Sequence, residues 1–565
     1  MILVMKCLVQ ILFTLFISLA PMQAQTPQTA EDYLKRAQER QKSGDLDGAI
    51  ADFSKVLELK PNSTEIYAGA FYGRGRVRID KSDFKSAIDD FTKYLELVPD
   101  DAEGYYGRGH ARSHTDDLDG AIADYNKALE IDPDDYLVIN DRGVALENKK
   151  DFDGAIKDYT RVVEIQPDYA MAYFNRGNAR RSKKDLEGAL TDYTKAIELN
   201  PRYAKAYNYR GLTQADKADL DQALSDFTKA IELNPDYAEA YENRGVVRYK
   251  RKDLDGAIAD FKRMPQLTPD SPTVYANLCG AKYLKGDLDG AIADCTKAIQ
   301  LKPDYAGAYY SRAYARNEKK DLVGAIADYT KAIEIKPTYY DAYIERAKAR
   351  SYNGDNEGAI ADFTKAIGLN SNSAGLYFDR ALARYQKVDF DGALADLTKA
   401  QELDPKFADA YNEGAWINLY LHKSNLAYAD ALKFLELKGT TEPQSPYMVV
   451  VAHLALSESN KTKAAKSLLA EWIKRFDSSA WATQVMRYLQ KDIKEKQLLA
   501  LATDRDKMTE ARAYIGMKLL LSGKQSAARD HLLWVKQNGV KTFYEYALAD
   551  YELRRLEGSS ATKPD

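Results

Sequence analysis

Apolar residues recur along most of the chain at the spacing of amphipathic helices. In residues 185–201, DLEGALTDYTKAIELNP, the side chains of Ala189, Tyr193, Ala196 and Ile197 fall on one face of a helix. A proline closes the segment, and proline stops a helix because it lacks the backbone N–H. A second segment of helical periodicity precedes each such phrase, so the pattern predicts pairs of amphipathic helices joined by turns.

The same phrase returns at a period of 34 residues. Prolines keep its register at Pro99, Pro133, Pro167, Pro201, Pro235, Pro269, Pro303 and Pro337. The step from Pro61 to Pro99 is 38, which predicts a four-residue insertion near residues 64–67. Eleven units then occupy residues 30–407, and a degenerate twelfth occupies 408–438. Because neither helix of a unit can bury its apolar stripe alone, neighbouring units must stack to bury it.

This pattern resembles the tetratricopeptide repeat, which has an aromatic residue at position 4, a small residue at 8, alanine at 20, an aromatic at 24 and proline at 32. In residues 170–203 these positions hold Tyr173, Gly177, Ala189, Tyr193 and Pro201. The resemblance implies an all-α, right-handed superhelical solenoid of helix-turn-helix repeats with a concave groove. It also implies a non-catalytic scaffold that binds a protein or extended peptide in that groove.

The inner-face positions of the family, where such a partner would bind, vary from repeat to repeat here. Position 5 holds Tyr72, Tyr106, Asn140, Phe174, Asn208, Tyr310 and Phe378, and positions 6 and 9 hold Asn175, Asn243, Asn277 and Asn178. Asparagine both donates and accepts hydrogen bonds, and aromatic rings supply contact area at low entropic cost. These residues are the candidate peptide-binding groove. Position 5 holds no lysine, so a clamp for a C-terminal carboxylate is not evident.

Two charged positions recur in register. Position 7 is arginine in ten of the eleven repeats and position 23 is aspartate in all eleven, as with Arg176 and Asp192. Because a half-buried guanidinium needs a planar partner, we expect a ladder of Arg–Asp pairs between helices. The alternative is an anion-binding stripe of arginines, which the matched aspartates disfavour.

The eighth repeat departs from this pattern. Cys279 stands at position 8 and Cys295 at position 24, which face each other across the two helices. The two thiols either conserve side-chain volume or form a disulfide, and the disulfide is the preferred interpretation for an exported chain. In the preceding repeat Pro265 falls inside the second helix, so we expect that helix to be shortened or kinked near Met264.

The two ends of the chain differ from the repeats. Residues 1–24 have the layout of a signal peptide, with Lys6 ahead of an apolar run, and residues 25–29 form a linker. Cleavage would leave a periplasmic or secreted protein with no stable membrane span, whereas an uncleaved segment would anchor it. Residues 439–556 read as divergent helix pairs that cap the solenoid, and residues 557–565 as a disordered tail.

Charge and motifs narrow the function. The 81 Lys and Arg against 85 Asp and Glu give a net charge of −4, which argues against a nucleic-acid partner. No catalytic or nucleotide-binding motif occurs, so we expect no catalytic residues and no cofactor. His110 and His114 have zinc-chelating spacing but no third ligand, so we interpret them as solvated groove residues and expect no metal.

Two alternatives to the scaffold remain. One is an enzyme with its active site in residues 440–556, which a cleft with convergent titratable groups there would favour. The other is an envelope-assembly factor held in the membrane by an uncleaved signal. The identity of a protein partner cannot be read from the residues.

Overall fold

The computed structural model describes residues 29–558 and divides the chain into two compact units, Met1–Pro269 and Asp270–Asp565. The described residues form consecutive helical hairpins without strands, so the predicted all-α repeat architecture is confirmed. The predicted signal peptide, residues 1–24, lies outside the described residues, as do residues 559–565 of the predicted tail.

The first unit contains seven hairpins, one for each of the first seven repeats. Their helices are α1 (Ala30–Ser43), α2 (Leu46–Leu59), α3 (Thr64–Asp80), α4 (Phe84–Leu97), α5 (Ala102–Ser113), α6 (Leu118–Ile131), α7 (Tyr136–Asn148), α8 (Phe152–Ile165), α9 (Ala170–Ser182), α10 (Leu186–Leu199), α11 (Ala204–Asp216), α12 (Leu220–Leu233), α13 (Ala238–Lys250) and α14 (Leu254–Leu267).

The second unit contains the remaining repeats and the C-terminal region. The repeat helices are α15 (Pro272–Lys285), α16 (Leu288–Leu301), α17 (Ala306–Glu318), α18 (Leu322–Ile335), α19 (Tyr340–Tyr352), α20 (Asn356–Leu369), α21 (Ala374–Gln386), α22 (Phe390–Leu403), α23 (Ala408–Tyr420) and α24 (Ser424–Lys438). The C-terminal helices are α25 (Ser445–Glu458), α26 (Thr462–Trp472), a 3-10 turn (Ile473–Arg475), α27 (Trp481–Gln490), α28 (Glu495–Leu501), α29 (Arg505–Leu521), α30 (Gln525–Asn538) and α31 (Tyr544–Leu556).

An Asp-x-x-Gly phrase begins the second helix in nine of the eleven regular hairpins. Asp117 caps α6 by accepting a hydrogen bond from the Gly120 N–H at 3.0 Å. A Cβ on Gly120 would lie 2.2 Å from the Asp117 carboxylate, so glycine lets that carboxylate approach closely, whereas Ser86 and Gln222 donate to their capping aspartates over slightly longer distances of 3.3 and 3.2 Å. One phrase therefore sets both where the helix begins and how closely the capping side chain approaches it.

Small residues at position 8 let the two helices of a hairpin approach each other. A Cβ on Gly177 would lie 2.7 Å from Cε1 of Tyr193, the fully buried aromatic of the same repeat. Ala189 and Ala196 on the same helix as Tyr193 are also fully buried. In nine of the eleven repeats the core is therefore one aromatic ring held between small side chains, while position 24 is Cys295 in the eighth repeat and Leu397 in the eleventh.

The first unit contains two departures from the regular repeat, the four-residue insertion and Pro265, and only one of them changes the length of a helix. The four-residue insertion lengthens α3, which has 17 residues and begins at Thr64. The expected shortening of the helix that contains Pro265 is wrong, because α14 is 14 residues long, as α12 is. Pro265 lies in the last turn of α14, where the missing N–H removes a single hydrogen bond and the helix ends two residues later. The kink stays a prediction.

The C-terminal region shares one hydrophobic core with the twelfth repeat. Trp416 of α23, Phe434 of α24, Met448 of α25 and Tyr514 of α29 are all buried in the same cluster. Within residues 29–558, no helix is both long enough and apolar enough to cross a membrane.

Candidate functional site

The arginine of position 7 and the aspartate of position 23 form the expected ladder. Arg176 donates from Nη2 to Asp192 Oδ1 at 2.7 Å and from Nε to Asp192 Oδ2 at 3.0 Å. The same bidentate pair occurs in all ten repeats that carry the arginine, between residues 36 and 52, 74 and 90, 108 and 124, 142 and 158, 176 and 192, 210 and 226, 244 and 260, 312 and 328, 346 and 362, and 380 and 396.

Two further recurrences complete the ladder, and neither is among the pairs predicted from the sequence. A second arginine at position 11 reaches the same carboxylate, as Arg180 Nη1 does to Asp192 Oδ2 at 2.8 Å. The position 7 arginine also donates to the preceding repeat, as Arg176 Nη1 does to Thr160 Oγ1 at 3.2 Å. Each guanidinium is thus bound on both sides, which disfavours the alternative of an anion-binding stripe.

The eighth and twelfth repeats replace the arginine in different ways. In the eighth repeat Lys282 takes over and lies 2.6 Å from Asp294. In the twelfth repeat Asp430 keeps only neutral partners, of which Asn418 Nδ2 donates at 2.9 Å. Burial without a cation raises the pKa of Asp430 to about 6. The twelfth repeat therefore holds a carboxyl group that can bind a proton near neutral pH.

The inner face of each unit consists of the first helices of its hairpins, which contact one another from repeat to repeat. Three of the predicted groove residues are buried in the scaffold beneath this face, because Asn140, Phe174 and Asn208 are only 4%, 8% and 1% exposed. Asn175 Nδ2 donates to Asn140 Oδ1 at 3.2 Å, and Asn243 Nδ2 donates to Asn208 Oδ1 at 3.0 Å. These amides therefore join neighbouring repeats.

This joining role has a signal in the sequence. Each bond links position 5 of one repeat to position 6 of the next, 35 residues later. The Tyr106 hydroxyl follows the same rule and donates to Asp141 Oδ2 at 2.9 Å. A donor and an acceptor 35 residues apart would have predicted these contacts.

The other predicted groove residues are half-buried, and the structure shows what each one contacts. Tyr72 donates to Glu103, and Asn178 Oδ1 accepts from the Tyr193 hydroxyl at 2.8 Å. Burial raises the pKa of Tyr72 to about 12. The further half-buried members are Asn277, Tyr310, whose ring stacks 5.0 Å from Tyr339, and Phe378, whose ring lies 5.0 Å from Phe407.

A cavity of about 380 Å³ opens beside Tyr72 on this face. Ala68 and Gly69 of α3, Tyr94 of α4 and Val98, which follows α4, also line it. A groove at this point has room for a side chain of a partner.

The histidine pair belongs to a row of stacked rings. The His114 ring lies 4.5 Å from Phe84 and 4.8 Å from His110. Burial lowers the pKa of His110, so this ring is neutral at physiological pH. His114 is exposed whereas His110 is half-buried, so only the former matches the expectation of a solvated side chain.

Family models described as "TPR repeat" and "Tetratricopeptide repeat" match residues 30–63, 102–135, 148–180, 177–217, 210–272, 282–340 and 344–406. Together the matches cover more than half of the chain. The chain belongs to the tetratricopeptide repeat (TPR) family. No curated protein matched the sequence.

Solved TPR structures resemble parts of the chain. The structure titled "YrrB: a TPR protein with an unusual peptide-binding site" is 26% identical, has a TM-score of 0.30, and aligns over 33% of this chain and 95% of its own. A MamA structure is 26% identical with a TM-score of 0.28, over 30% and 94% of the two chains. A TPR protein of Parabacteroides merdae is 20% identical with a TM-score of 0.36, over 44% and 98%.

Within the TPR repeats, Cys279 and Cys295 are joined by a disulfide between α15 and α16. Their Cα atoms are 5.4 Å apart and both side chains are fully buried. The bond fills the place that a buried aromatic ring takes in nine of the other ten regular TPR hairpins and that Leu397 takes in the eleventh.

Beyond the eleven regular TPR repeats, His422 lies between two carboxylates. Its Nδ1 is 3.3 Å from Glu458 Oε1 and its Nε2 is 3.4 Å from Glu552 Oε1. The hydrogen bond with Glu458 is the main cause that raises the pKa of His422. These three residues have the composition of a metal site. However, the two ring nitrogens face different carboxylates, an arrangement suited to a protonated imidazole that bridges the two acids.

A cleft of about 270 Å³ opens between α23 and the C-terminal helices. Glu510 and Glu545 line it, and they are only 7% and 4% exposed. Burial and the neighbouring Glu545 raise the pKa of Glu510 to about 8, and burial raises the pKa of Glu545. Titratable groups therefore converge in a cleft of the region where the enzyme alternative places its active site.

Proposed function

We propose that this TPR protein binds another protein, or an extended peptide from one, on the inner face of its first helices, and that this binding is its function. The observation that carries the proposal is the difference between two kinds of position. The capping, packing and ladder positions hold nearly the same residues in every repeat, whereas positions 5, 6 and 9 change. Variation at those positions that stay half-buried, such as Tyr72 beside its cavity, is what a partner-binding surface would show.

The chemistry of the inner face suits a peptide main chain. Tyr72 and Tyr106 present rings whose hydroxyl groups are oriented by Glu103 and Asp141. Asn175 and Asn243 each use one amide hydrogen for the neighbouring repeat and keep further donor and acceptor capacity on half-buried side chains. Oriented polar groups between aromatic rings can pair with main-chain amides while the rings cover apolar side chains.

The test is a crosslinking pull-down from the native organism with residues 25–565 as bait. The variant Tyr72→Ala/Tyr106→Ala removes two rings from the inner face, and Leu59→Ala/Val323→Ala removes two exposed apolar side chains from second helices. We expect the tyrosine variant to lose most partner recovery and the control to keep it. Equal recovery by both, with both folded by circular dichroism, would refute binding on this face.

A second candidate function, catalysis, is favoured by the convergence of Glu510 and Glu545 in one cleft. Two carboxyl groups in unequal environments can act as acid and base. Hydrolysis of a chromogenic glycoside or ester by the wild-type protein, lost in Glu510→Gln, would establish this function. Absence of turnover across such a panel would leave binding as the function.

We also propose that the chain is exported, on the basis of its first 24 residues and the buried disulfide. N-terminal sequencing of the protein from fractionated cells tests this proposal. A chain that begins near Gln25 in a soluble extracytoplasmic fraction supports cleavage, whereas an intact N-terminus in the membrane fraction supports the anchored alternative.

A further inference from the structure

The cleft beside the twelfth repeat, which we call the C-terminal pocket, has an unusual set of polar groups. It is lined by Asn412 and Trp416 of α23, by Pro443, Gln444 and Tyr447, by Glu510, and by residues 542–545 at the start of α31. None of these lining residues carries a positive charge. Its volume of about 270 Å³ accommodates one side-chain group with a few waters.

The carboxyl groups of the pocket are satisfied only by neutral donors. Glu510 accepts from the Tyr447 hydroxyl at 3.2 Å and from Trp481 Nε1 at 2.8 Å. Glu545 accepts from the Tyr514 hydroxyl. In the described part of the chain no lysine, arginine or histidine forms an ion pair with Glu510 or Glu545. By contrast, the buried aspartates of ten TPR repeats each hold an arginine.

Asn412 adds an acceptor that has no donor. Its side chain is 7% exposed, and its Nδ2 donates to Glu413 at 3.3 Å and to the Tyr544 hydroxyl at 3.4 Å. Its Oδ1 is buried without a hydrogen-bond partner. A buried acceptor is unfavourable when it stays unpaired, so a ligand that donates a hydrogen bond to it is favoured.

The charge of the pocket favours a cation. The Trp416 and Tyr544 rings stack on each other, with centroids 5.0 Å apart, and close one side of the pocket, while the Tyr447 hydroxyl donates to Glu510. Carboxylates attract cations and repel anions. An apolar ligand would leave the acceptors unpaired, so the pocket selects for positive charge together with several N–H donors.

We propose that the C-terminal pocket binds a guanidinium or ammonium group, held between Glu510 and Glu545 with a hydrogen bond to Asn412 Oδ1. The group comes either from a free amine or from a basic side chain of a protein. This inference does not depend on the inner-face proposal, because the residues tested there lie in the first unit.

Isothermal titration calorimetry with defined probes tests the proposal. The probes are agmatine, the capped tripeptide Gly-Arg-Gly, and the same tripeptide with citrulline, which has the shape of arginine without its charge. We expect both guanidinium probes to bind at least tenfold more tightly than the citrulline peptide. Equal affinity for arginine and citrulline, or no binding of either guanidinium probe at millimolar concentration, would overturn the proposal.

Three variants assign the binding to the pocket. Glu510→Gln and Glu545→Gln keep the side-chain shape and an acceptor, and each is expected to weaken agmatine binding at least tenfold. Glu402→Gln, on an exposed helix surface, removes the same charge elsewhere and is expected to change nothing. Unchanged affinity in both pocket variants, with unchanged melting temperature, would place the binding elsewhere and reject the site.

The same titration distinguishes the two sources of the cation. Tighter binding of agmatine than of the tripeptide supports a free amine, since the pocket then has no use for a main chain. Tighter binding of the tripeptide supports a basic side chain of a protein partner.

Discussion

The ladder gives a sharp prediction for Asp192, which is 1% exposed and accepts from two arginines. Replacing it with alanine removes three short bonds, Arg176 Nε at 3.0 Å, Arg176 Nη2 at 2.7 Å and Arg180 Nη1 at 2.8 Å. Arg176 then loses its counter-charge in the interface between α9 and α10, while Arg180 keeps only Asp185, whose Oδ2 lies 3.8 Å from its Nε.

The loss of stability in Asp192→Ala depends on how well water solvates the guanidinium groups of Arg176 and Arg180. Removing one partner of a fully buried ion pair costs about 3–5 kcal/mol. The Arg176 side chain is 11% exposed and that of Arg180 is 26% exposed, so water solvates the second guanidinium in part. We therefore expect Asp192→Ala to destabilise the repeat by about 2–4 kcal/mol.

Hydrogen exchange measured by mass spectrometry is the suitable assay, because a long repeat chain does not unfold in one step. A loss of about 2–4 kcal/mol corresponds to a roughly 30- to 700-fold fall in protection of the amides in α9 and α10. Glu198→Ala breaks an exposed pair with Lys195 and is expected to cost less than about 1 kcal/mol. A fall of less than threefold for Asp192→Ala, or an equal fall for Glu198→Ala, would refute the ladder as a source of stability.

Three further predictions concern the second unit. The pKa of Asp430 is raised to about 6 from an ordinary 3.8, so the stability that this group contributes is complete below pH 4 and is lost as the pH rises through 6. Asp430→Asn should therefore flatten the fall in melting temperature between pH 4 and 7. The raised pKa of His422 gives stability below its ordinary value of 6.5 that is lost as the pH rises through the raised value, and Glu458→Gln should lower that pKa in an NMR titration. The Cys279–Cys295 disulfide should leave no free thiol in the unfolded mature chain before reduction, and reduction should cost about 3 kcal/mol; two titratable thiols would contradict the bond.

The regular part of the fold could be predicted because its determinants are local and repeat. The capping aspartate, the glycine after it and the buried aromatic each act within one hairpin, so one correct repeat predicts the others. The Arg–Asp pair spans only 16 residues, as from Arg176 to Asp192, and both members stand at fixed positions. Periodicity thus gave the pairing as well as the helices.

The candidate groove was harder to predict, because a variable position is not the same as a free one. Asn140 and Asn208 vary among position 5 residues as a binding surface would, yet they are buried and bonded to the next repeat. The position of a residue within its repeat does not predict whether its side chain is exposed, because a residue 35 positions later in the sequence can cover it. The half-buried Tyr72 beside its cavity therefore carries more of the binding proposal than either asparagine.

The C-terminal pocket could not be predicted at all, since its residues come from distant parts of the chain. Asn412 contacts Tyr544, 132 residues later, and Tyr447 contacts Glu510, 63 residues later. No repeat fixes these distances, and each residue is unremarkable in its own segment. Only the packing of α25, α29 and α31 against α23 brings them together.

The two parts of the chain treat buried carboxyl groups differently, and this difference has a consequence for function. In the eleven regular repeats the aspartate of position 23 is paired with an arginine or lysine of the same chain. Neither a proton nor a ligand is therefore needed to neutralise this aspartate. From the twelfth repeat onward Asp430, Glu510 and Glu545 are held by amides, hydroxyls and an indole instead. Such groups must take up a proton or a cation from outside. Sensitivity to cationic ligands is therefore expected to concentrate in residues 408–558, because the position 23 aspartates of the regular repeats already hold an arginine or a lysine.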